Sequence, residues 1–273
     1  NEDNLPSLDS LNDVIHLIAS RLRRGDQIML RSTVPVGTTR EVVIPLLEEM
    51  SALKAGEDFH VTFAPERTVE GRAMHELQRL PQIIGAYSPS CMRHSSEFWS
   101  SMTPSIVRTA SLEASEIVKL ANNTFRDLSF AFANEIALLA DQYNVDAFEV
   151  IRAANDGYPR NPIPTPSPGV GGYCLTKDPL IFNSTPFAQR EGIILGQAGR
   201  RVNENAMKYV VSVVERFAKR INKPISELSV LIVGLAFKGE PETTDLRGSA
   251  SIEIAKILSR SVKSLSGWDA VIA

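Results

Sequence analysis

A single cysteine, Cys174, stands in a loop rich in glycine and proline that runs from Pro166 to Tyr173. Glycine allows positive φ angles and close backbone approach, so such a loop can shape the surroundings of a thiol. Lys177 and Asp178 follow three and four residues after the cysteine. A thiol on a shaped turn with titratable groups nearby is what a covalent nucleophile requires. Unpaired cysteines are also often buried structural residues, but the flanking glycines and tyrosine are not an apolar run, which favours the nucleophile.

A second pair of chemically capable residues, Lys119 and Asn123, is spaced four residues apart in a stretch with helical periodicity. Both side chains therefore project from one helix face. A cation and an amide on one face can stabilise an oxyanion that develops at a former carbonyl, and a buried lysine can also act as a base. In an arbitrary helix an exposed lysine beside a polar neighbour is more common, but here apolar Val118 and Leu120 flank Lys119.

Composition limits the class of protein. The chain has 273 residues, 43% hydrophobic and 22% charged, which is typical of a soluble globular protein with one large or two modest domains. The net charge of −3 gives no general attraction to nucleic acid or anionic membranes, and no apolar run is long enough to span a bilayer. The two cysteines, Cys91 and Cys174, do not form a disulfide framework, so we predict a cytoplasmic location. The four histidines lack ligand-like spacing, and we predict no metal.

The first part of the chain alternates helices with strands, which predicts a parallel α/β sheet with right-handed crossovers. The predicted helices are Asp9 to Arg24 and Thr39 to Leu53, and the predicted strands are Gln27 to Thr33, Phe59 to Ala64, Gln82 to Ala86 and Ser105 to Arg108.

The pattern becomes helical at Ser111, a plausible N-cap, and stays free of glycine and proline up to Tyr143. Glu113 and Glu116 fall in the first turns, where the helix dipole favours acidic side chains. Two further helical stretches are predicted, from Asp146 to Ala154 and from about Pro186 to Ile221.

A second α/β segment then begins. Its predicted elements are a strand from Ser229 to Val233, a helix from Ser249 to Arg260 and the start of a strand from Ser261 to Trp268. One such unit cannot bury a parallel sheet, so the sequence looks truncated at this end. We predict three domains, over residues 1–110, 111–222 and 223–273: a partial Rossmann-like sheet, an all-helical dimerisation segment and the start of a second Rossmann-like domain.

Five motifs, in order along nearly the whole chain, resemble those of the nucleotide-sugar 6-dehydrogenases, the family of UDP-glucose and GDP-mannose dehydrogenases. They are Ser32 to Thr39, Ala64 to Arg67 with Glu70-Gly71, Glu116 to Asn123, Gly171 to Pro179, and Gly234 to Lys238 with Asp245 to Arg247. The Pro-Glu-Arg form of the second motif and the Pro-Gly-Val-Gly-Gly run before the cysteine look most like the branch that oxidises UDP-N-acetylmannosamine or UDP-N-acetylglucosamine.

One departure from the family is the absence of its opening Gly-x-Gly-x-x-Gly turn, which seats the NAD pyrophosphate on a helix N-terminus. The resemblance therefore implies that the chain is also truncated at its start. We expect the 273 residues on their own to bind NAD weakly and to have little activity.

The resemblance implies oxidation of the C6 alcohol of a UDP-sugar to a carboxylate with two NAD, through a thiohemiacetal and a thioester on Cys174. Six residues match catalytic positions of the family: Cys174, Lys119, Asn123, Asp178, Glu66 and Thr33. On this resemblance Asp178 works with the lysine on water or the alcohol, Glu66 assists thioester hydrolysis and Thr33 lies near the nicotinamide. Without it, Asp178 reads equally as an acid at a helix N-terminus, and Thr33 as a β-branched turn residue.

The resemblance also implies binding positions. Cofactor contacts are expected at Thr33, Glu70, Lys177 and Arg247. Substrate contacts are expected at Arg67, Arg160, Lys119, Asn123, Gly171, Phe237 and Lys238, with Arg160 reaching the substrate of a neighbouring subunit. Apart from the resemblance, Lys177, Lys238 and Arg247 read as solvated charges.

Two other hypotheses stay open at this stage. One is a catalytically incompetent structural or dimerising fragment, which the missing glycine-rich turn favours. The other is a β-hydroxyacid dehydrogenase, which the Lys119 and Asn123 pair fits but Cys174 does not. The resemblance predicts a homodimer through the central helices, with no nucleic-acid or membrane partner.

Overall fold

The computed structural model describes residues 6–160 and 162–272, and these fold into two compact units. The first unit extends to Asn122 and includes Ile181–Gly192, and the second comprises Asn123–Leu180 and Ile193–Ala273. Within the described residues, every helix is too short or too polar to cross a membrane.

The first unit is built on a four-stranded sheet in the order β1-β2-β3-β4. Its strands are β1 (Gln27–Leu30), β2 (His60–Phe63), β3 (Gln82–Ala86) and β4 (Ile106–Arg108). Its helices are α1 (Asp9–Ala19), α2 (Ile44–Ser51, entered through a π-helical turn over Thr39–Val43), α3 (Ala73–Leu77), α4 (Pro89–Ser100), the start of α5 (Leu112–Gln142) and α8 (Pro186–Arg190).

The sheet is α/β as predicted, with two parallel pairs, β1 with β2 and β3 with β4, joined by an antiparallel pairing of β2 with β3. The sequence pattern did not reveal that antiparallel step. β1 is shorter than predicted because its partner leaves the ladder at Pro65, which has no N–H to donate. α1 also ends early, at Ala19, because the next N–H groups bond three residues back rather than four: Arg21 donates to the Ile18 carbonyl and Leu22 to the Ala19 carbonyl.

The main core of the first unit lies between the sheet and helices α1 and α2. Phe59, Val61, Phe63 and Leu47 are fully buried there, together with Leu112 at the start of α5. Full burial of each large apolar side chain contributes about 1.5–3 kcal/mol of transfer free energy, so this cluster supplies much of the unit's stability. This core packs against β1 and β2 and fixes their positions. The loops after the two strands carry the predicted site residues Thr33 and Glu66.

The second unit contains the rest of α5, α6 (Ala147–Asn155), the start of α7 (Tyr173–Phe182), α9 (Leu195–Arg220) and a βαβ unit. That βαβ unit consists of β5 (Ser229–Val233), α10 (Ala250–Leu258) and β6 (Ser264–Trp268), with β5 and β6 parallel. The predicted helix from Pro186 to Ile221 is two helices, α8 and α9. The chain turns between them at Gly192, whose φ is +69°.

The predicted N-cap at Ser111 is present before α5, and Asp146, predicted as the first residue of a helix, caps α6 instead. The Ser111 hydroxyl accepts from the N–H of Ala114, and the Asp146 carboxylate accepts from the N–H of Phe148. These bonds satisfy donors that the first turn of a helix leaves unpaired.

Candidate active site

Cys174 lies at the second residue of α7, in the second unit, and its side chain is exposed. The glycine loop before it is held closely by its surroundings. Gly172 has φ +88°, and a Cβ at this position would stand 2.8 Å from the Phe237 ring. A Cβ on Gly171 would meet the carbonyl oxygen of Gly248 and lie 3.2 Å from Cβ of Phe237. Any larger residue at either glycine would therefore displace the segment that presents the thiol.

Asp178, one turn along α7 from the cysteine, is completely buried. Its carboxylate accepts a hydrogen bond from Asn123 Nδ2 at 2.5 Å and forms an ion pair with Lys177 Nζ at 2.5 Å. Because a buried carboxylate needs such partners, these contacts fix the position of Asp178. The second unit thus brings together Asn123, Lys177 and Asp178 with Cys174, four of the predicted residues.

The Tyr173 ring lies beside two predicted cofactor contacts, Lys177 and Arg247, although Tyr173 was not itself predicted as a site residue. Lys177 Nζ lies 5.1 Å from the centre of its ring, and the Arg247 guanidinium carbon lies 5.7 Å from it. Both distances are within the range of cation–π attraction. In the sequence Tyr173 stands between Gly172 and Cys174, and this position could have identified it as a candidate.

Arg247 also forms a bidentate pair with Asp245, in which Nη2 donates to Oδ2 at 2.7 Å and Nε donates to Oδ1 at 3.0 Å. The pair is exposed on the arginine side. Phe237 and Lys238, the predicted substrate contacts, line a cleft of about 370 Å³ at the carboxyl ends of β5 and β6. The Lys238 ammonium lies 5.3 Å from the centre of the Phe237 ring. Clefts at this edge of parallel sheets are the usual ligand sites of α/β folds.

In that cleft, the Asp269 carboxylate accepts hydrogen bonds from the backbone N–H groups of Leu235 and Ala236, at 2.6 and 3.0 Å. Backbone hydrogen bonds, first from Val271 and then from these two residues, lower the pKa of Asp269 to about 2. The turn after β5 is therefore already occupied by an internal anion, and a phosphate would compete with that carboxylate for the same donors.

The first unit places Thr33, Glu66 and Lys119 in one region. Thr33 follows β1 and Glu66 follows β2, and the two strands are parallel, so both residues leave the same edge of the sheet. Lys119 is only 9% exposed, and its Nζ donates to the Glu66 backbone carbonyl at 2.6 Å. The lysine is thus a buried cation rather than the solvated side chain that an arbitrary helix would show.

The carboxylate of Glu66 is engaged by other partners. It forms an ion pair with Arg31 and accepts from the backbone N–H of Thr68 at 2.8 Å. Burial raises the pKa of Glu66, but the hydrogen bonds from Thr68 and Arg31 outweigh burial and lower it overall. Arg31 is held in turn over the Trp99 ring, 4.6 Å from its centre.

Three other predicted residues, Arg67, Glu70 and Arg160, lie in different surroundings. Arg67 donates to the Pro81 carbonyl at 2.5 Å, and burial lowers its pKa. Glu70 is exposed in the first unit. Arg160 is exposed in the second unit, where its guanidinium stacks at 5.3 Å from the centre of the Tyr158 ring.

Glu116 is placed differently from a helix-dipole acid at the surface, which is what its position in the first turns of α5 had suggested. It is 1% exposed, and its two oxygens accept from the N–H groups of Gly37 and Thr39 and from the Thr39 hydroxyl. Burial raises the pKa of Glu116, while these hydrogen bonds lower it by less. The carboxylate thereby caps the start of the π-helical turn that leads into α2. The N–H groups of Gly37 and Thr39 are therefore not available to a bound phosphate.

The chain is similar to known proteins over most of its length. Residues 1–103 match the NAD binding domain of the UDP-glucose/GDP-mannose dehydrogenase family, and residues 113–205 match the central domain of the same family. A UDP-N-acetyl-D-mannosamine dehydrogenase of Pyrococcus horikoshii is 37% identical over 264 residues, which are 97% of this chain and 62% of that protein. An NDP-N-acetyl-D-galactosaminuronic acid dehydrogenase of Ralstonia solanacearum is 34% identical, with 94% of this chain and 60% of that protein covered.

Solved structures give the same picture. The UDP-D-ManNAc dehydrogenase from Pyrococcus horikoshii superimposes with a TM-score of 0.93 at 35% identity, over 99% of this chain and 63% of that one. A UDP-glucose dehydrogenase from Pyrobaculum islandicum superimposes with a TM-score of 0.81 at 27% identity, over 98% and 61%. A 3-hydroxyisobutyrate dehydrogenase from Mycobacterium tuberculosis, at 19% identity and a TM-score of 0.53, is similar in fold alone. The chain spans about three fifths of the length of the curated relatives that it matches.

Proposed function

Because the chain belongs to the UDP-glucose/GDP-mannose dehydrogenase family, we propose that the whole protein oxidises the C6 alcohol of a UDP-N-acetylhexosamine to the carboxylate. The similarity to the Pyrococcus horikoshii UDP-N-acetyl-D-mannosamine dehydrogenase, in sequence and in structure, supports N-acetylmannosamine as the sugar. The observation that carries the proposal is the exposed Cys174 at the start of α7, one turn from a buried Asp178 that Asn123 and Lys177 hold in place.

The residues of the first unit fit one end of an NAD site. Thr33 leaves the carboxyl edge of β1 and β2, the edge at which parallel sheets bind dinucleotides. We assign cofactor contacts to Thr33 and Glu70 in the first unit, and to Lys177 and Arg247 in the second. NAD, when bound, accepts the hydride at each of the two oxidation stages.

The covalent steps are assigned to Cys174. After the alcohol has lost a hydride and a proton, the sulfur adds to the aldehyde carbon, and the thiol proton passes to the new hydroxyl, giving a thiohemiacetal. Loss of a second hydride and of the hydroxyl proton gives a thioester. Water then attacks the thioester carbon and releases the carboxylate and the free thiol, so one alcohol, one water and two NAD yield one carboxylate, two NADH and three protons.

The other residues are assigned by their contacts. Asp178, oriented by Asn123 and Lys177, is the proposed proton acceptor in the second unit. Lys119 is the proposed donor to a developing oxyanion, because burial strengthens its electrostatic field. Glu66 has a lowered pKa and is therefore a weak proton acceptor, so we propose that it orients the hydrolytic water rather than deprotonating it.

Substrate binding is assigned to the second unit, where the cleft of about 370 Å³ offers an aromatic ring at Phe237 and a cation at Lys238. The aromatic ring suits a nucleobase or sugar face, and the ammonium suits a phosphate oxygen. Arg67 in the first unit and Arg160 in the second are proposed as further phosphate contacts, with Arg160 directed to a neighbouring subunit. Gly171 supplies the close backbone approach at the loop.

A homodimer is proposed from the surface of α5 in the second unit. Phe125, Phe132 and Leu139 are spaced seven residues apart and are 74%, 56% and 61% exposed. Seven-residue spacing places them along one face of the helix, and apolar stripes of this kind are covered in stable assemblies. A second copy of the chain, packed along this stripe, is the occupant that we propose.

The test of the activity uses the whole protein with UDP-N-acetylmannosamine and NAD. We expect two NADH per sugar, and we expect Cys174→Ser to lower the rate of acid formation by at least about a hundredfold while substrate affinity changes little. Cys91→Ser is the matched control, because Cys91 is buried in α4 and should leave the rate near the parental value. Acid formation at the parental rate by the Cys174 variant would exclude the covalent mechanism.

A further inference from the structure

The buried polar residues behind the cysteine loop form a connected group in the second unit, which we call the Asp127 network: Asp127, Asn134, Arg200 and Asn203. All four are at most 4% exposed. Arg200 Nη1 and Asn203 Nδ2 both donate to Asp127 Oδ1 at 2.8 Å, and Asn134 Nδ2 donates to Asn203 Oδ1 at 2.9 Å. The residues come from α5 and α9, so the network ties these two helices together.

The network also binds the loop that leads to Cys174. Asn134 Oδ1 accepts from the backbone N–H of Ser167 at 2.8 Å, and Arg200 Nη1 donates to the Val170 carbonyl at 3.3 Å. The Ser167 hydroxyl then donates to the Gly169 carbonyl at 2.8 Å, closing a tight turn between the two anchor points. Only three residues, Gly171, Gly172 and Tyr173, lie between the second anchor and the cysteine.

The arrangement is a poor stabiliser of the fold. Within the residues that the structure describes, Asp127 Oδ2 and Arg200 Nε are both buried and have no hydrogen-bond partner. A buried ion pair repays its desolvation only when its remaining polar atoms are also satisfied, and apolar residues of similar volume often replace such pairs without loss of stability. An apolar pair, however, has no donor for the Val170 carbonyl.

We propose that the Asp127 network positions the loop from Ser167 to Gly172 so that Cys174 meets the aldehyde formed in the first oxidation. The inference rests on the proposed function and adds Asp127, Asn134, Arg200 and Asn203 to it as positioning residues. They act through the loop backbone, and their effect falls on the covalent stage. Oxidation of the alcohol, which precedes any bond to sulfur, depends on them far less.

The sharpest variant replaces the ion pair by an apolar pair, Asp127→Leu with Arg200→Met, in the whole protein. We expect it to fold, since the pair contributes little net stability, while the loop loses its Val170 anchor. Arg200→Lys and Asn134→Leu are second variants, because each removes one anchor and keeps most of the network. Arg201→Lys is the matched control, since Arg201 is the exposed neighbour on α9.

Two measurements separate positioning from general destabilisation. Hydrogen–deuterium exchange of the peptide that contains Ser167 to Gly172 should quicken at least fivefold in the variants and stay unchanged in the control. NADH formation is then measured from UDP-N-acetylmannosamine and, separately, from its 6-aldehyde. Oxidation of the aldehyde should slow about tenfold to a hundredfold more than oxidation of the alcohol, because small displacements of a reacting group have effects of that size.

A loss of stability alone would slow both oxidations equally. Equal slowing of the two stages, or a loosened loop with an unchanged ratio of the two rates, would overturn the positioning role while leaving the proposed function intact. If the double variant does not fold, the ratio of aldehyde oxidation to alcohol oxidation is measured in Arg200→Lys and Asn134→Leu. That ratio then tests the positioning role. A wild-type protein that forms no NADH from the nucleotide sugar would refute the proposed function, and the inference with it.

Discussion

Replacement of Glu116 by glutamine tests a fully buried carboxylate of the first unit. Its oxygens receive three hydrogen bonds, from the Gly37 N–H at 2.6 Å, the Thr39 N–H at 3.0 Å and the Thr39 hydroxyl at 2.5 Å. In glutamine one oxygen remains as an acceptor, and an NH2 group, which only donates, replaces the other oxygen. Whichever way it is oriented, at least one buried backbone N–H then faces another donor.

The expected loss in the free energy of unfolding follows from the number of donors that are left without an acceptor. A buried donor left without its acceptor destabilises by about 1–3 kcal/mol. Glutamine also removes a charge whose burial is unfavourable, as the raised pKa of Glu116 shows, so we expect a loss near the lower end, about 1–2 kcal/mol. Glu116→Ala leaves all three donors without their acceptor and opens a cavity, and we expect about 3–5 kcal/mol.

The assay is urea unfolding followed by the fluorescence of Trp99, which is buried in the same unit, together with hydrogen–deuterium exchange of the peptide that contains Gly37 and Thr39. Exchange should quicken first in that peptide. Glu113→Gln is the control, because Glu113 lies one turn earlier on α5 and is more exposed. A loss below about 0.5 kcal/mol for Glu116→Gln, or equally quickened exchange of the Gly37 and Thr39 peptide in the control, would refute the reasoning.

Three further outcomes follow from the geometry. The hydrogen bond from Arg40 lowers the pKa of Glu113 to about 2, so the stability from this pair is present above pH 4.5 and is lost as pH falls through about 2. Because both side chains are partly exposed, Glu113→Gln should cost only about 0.5–1 kcal/mol at pH 7, and acid titration of unfolding should show the difference vanish. Gly172→Ala should cost about 1–3 kcal/mol, because φ is +88° and the Phe237 ring blocks Cβ, and an unchanged unfolding midpoint would contradict this. Phe132→Glu should shift the protein toward monomer in sedimentation, whereas Met74→Glu, which places the same charge on a more exposed apolar residue of α3, should not.

Several elements were predictable because local signals agreed. α5 follows the predicted helix from Ser111 to Tyr143 within one residue at each end, since a long apolar periodicity lies there without glycine or proline. β3 and β5 match their predicted bounds, because runs of apolar residues were bounded by turn signals. α4 was not predicted, although Ser88 and Pro89 carry the signature of an N-cap and a first helical residue.

The predicted site residues that contact one another had been grouped in two ways, by the family resemblance and by local spacing. The Asn123, Lys177 and Asp178 contacts were implied by the family resemblance, and the i, i+4 spacing of Lys119 with Asn123 is local. The Asp127 network was not foreseen, because Arg200 reads in sequence as one of two adjacent arginines on a polar helix. Its burial is set by tertiary packing, which periodicity does not report.

The two cysteines of the chain have opposite surroundings, and this determines how the protein meets oxidants. The sulfur of Cys91 is enclosed and accepts from the Val61 N–H and the Ser88 hydroxyl, whereas Cys174 is exposed in the first turn of α7. Peroxide therefore has one accessible thiol to convert to a sulfenic acid, and a second equivalent would carry it irreversibly to a sulfinic acid. In the proposed mechanism Cys174 must be exposed to reach an aldehyde, and the same exposure would make its oxidation the event that inactivates the protein.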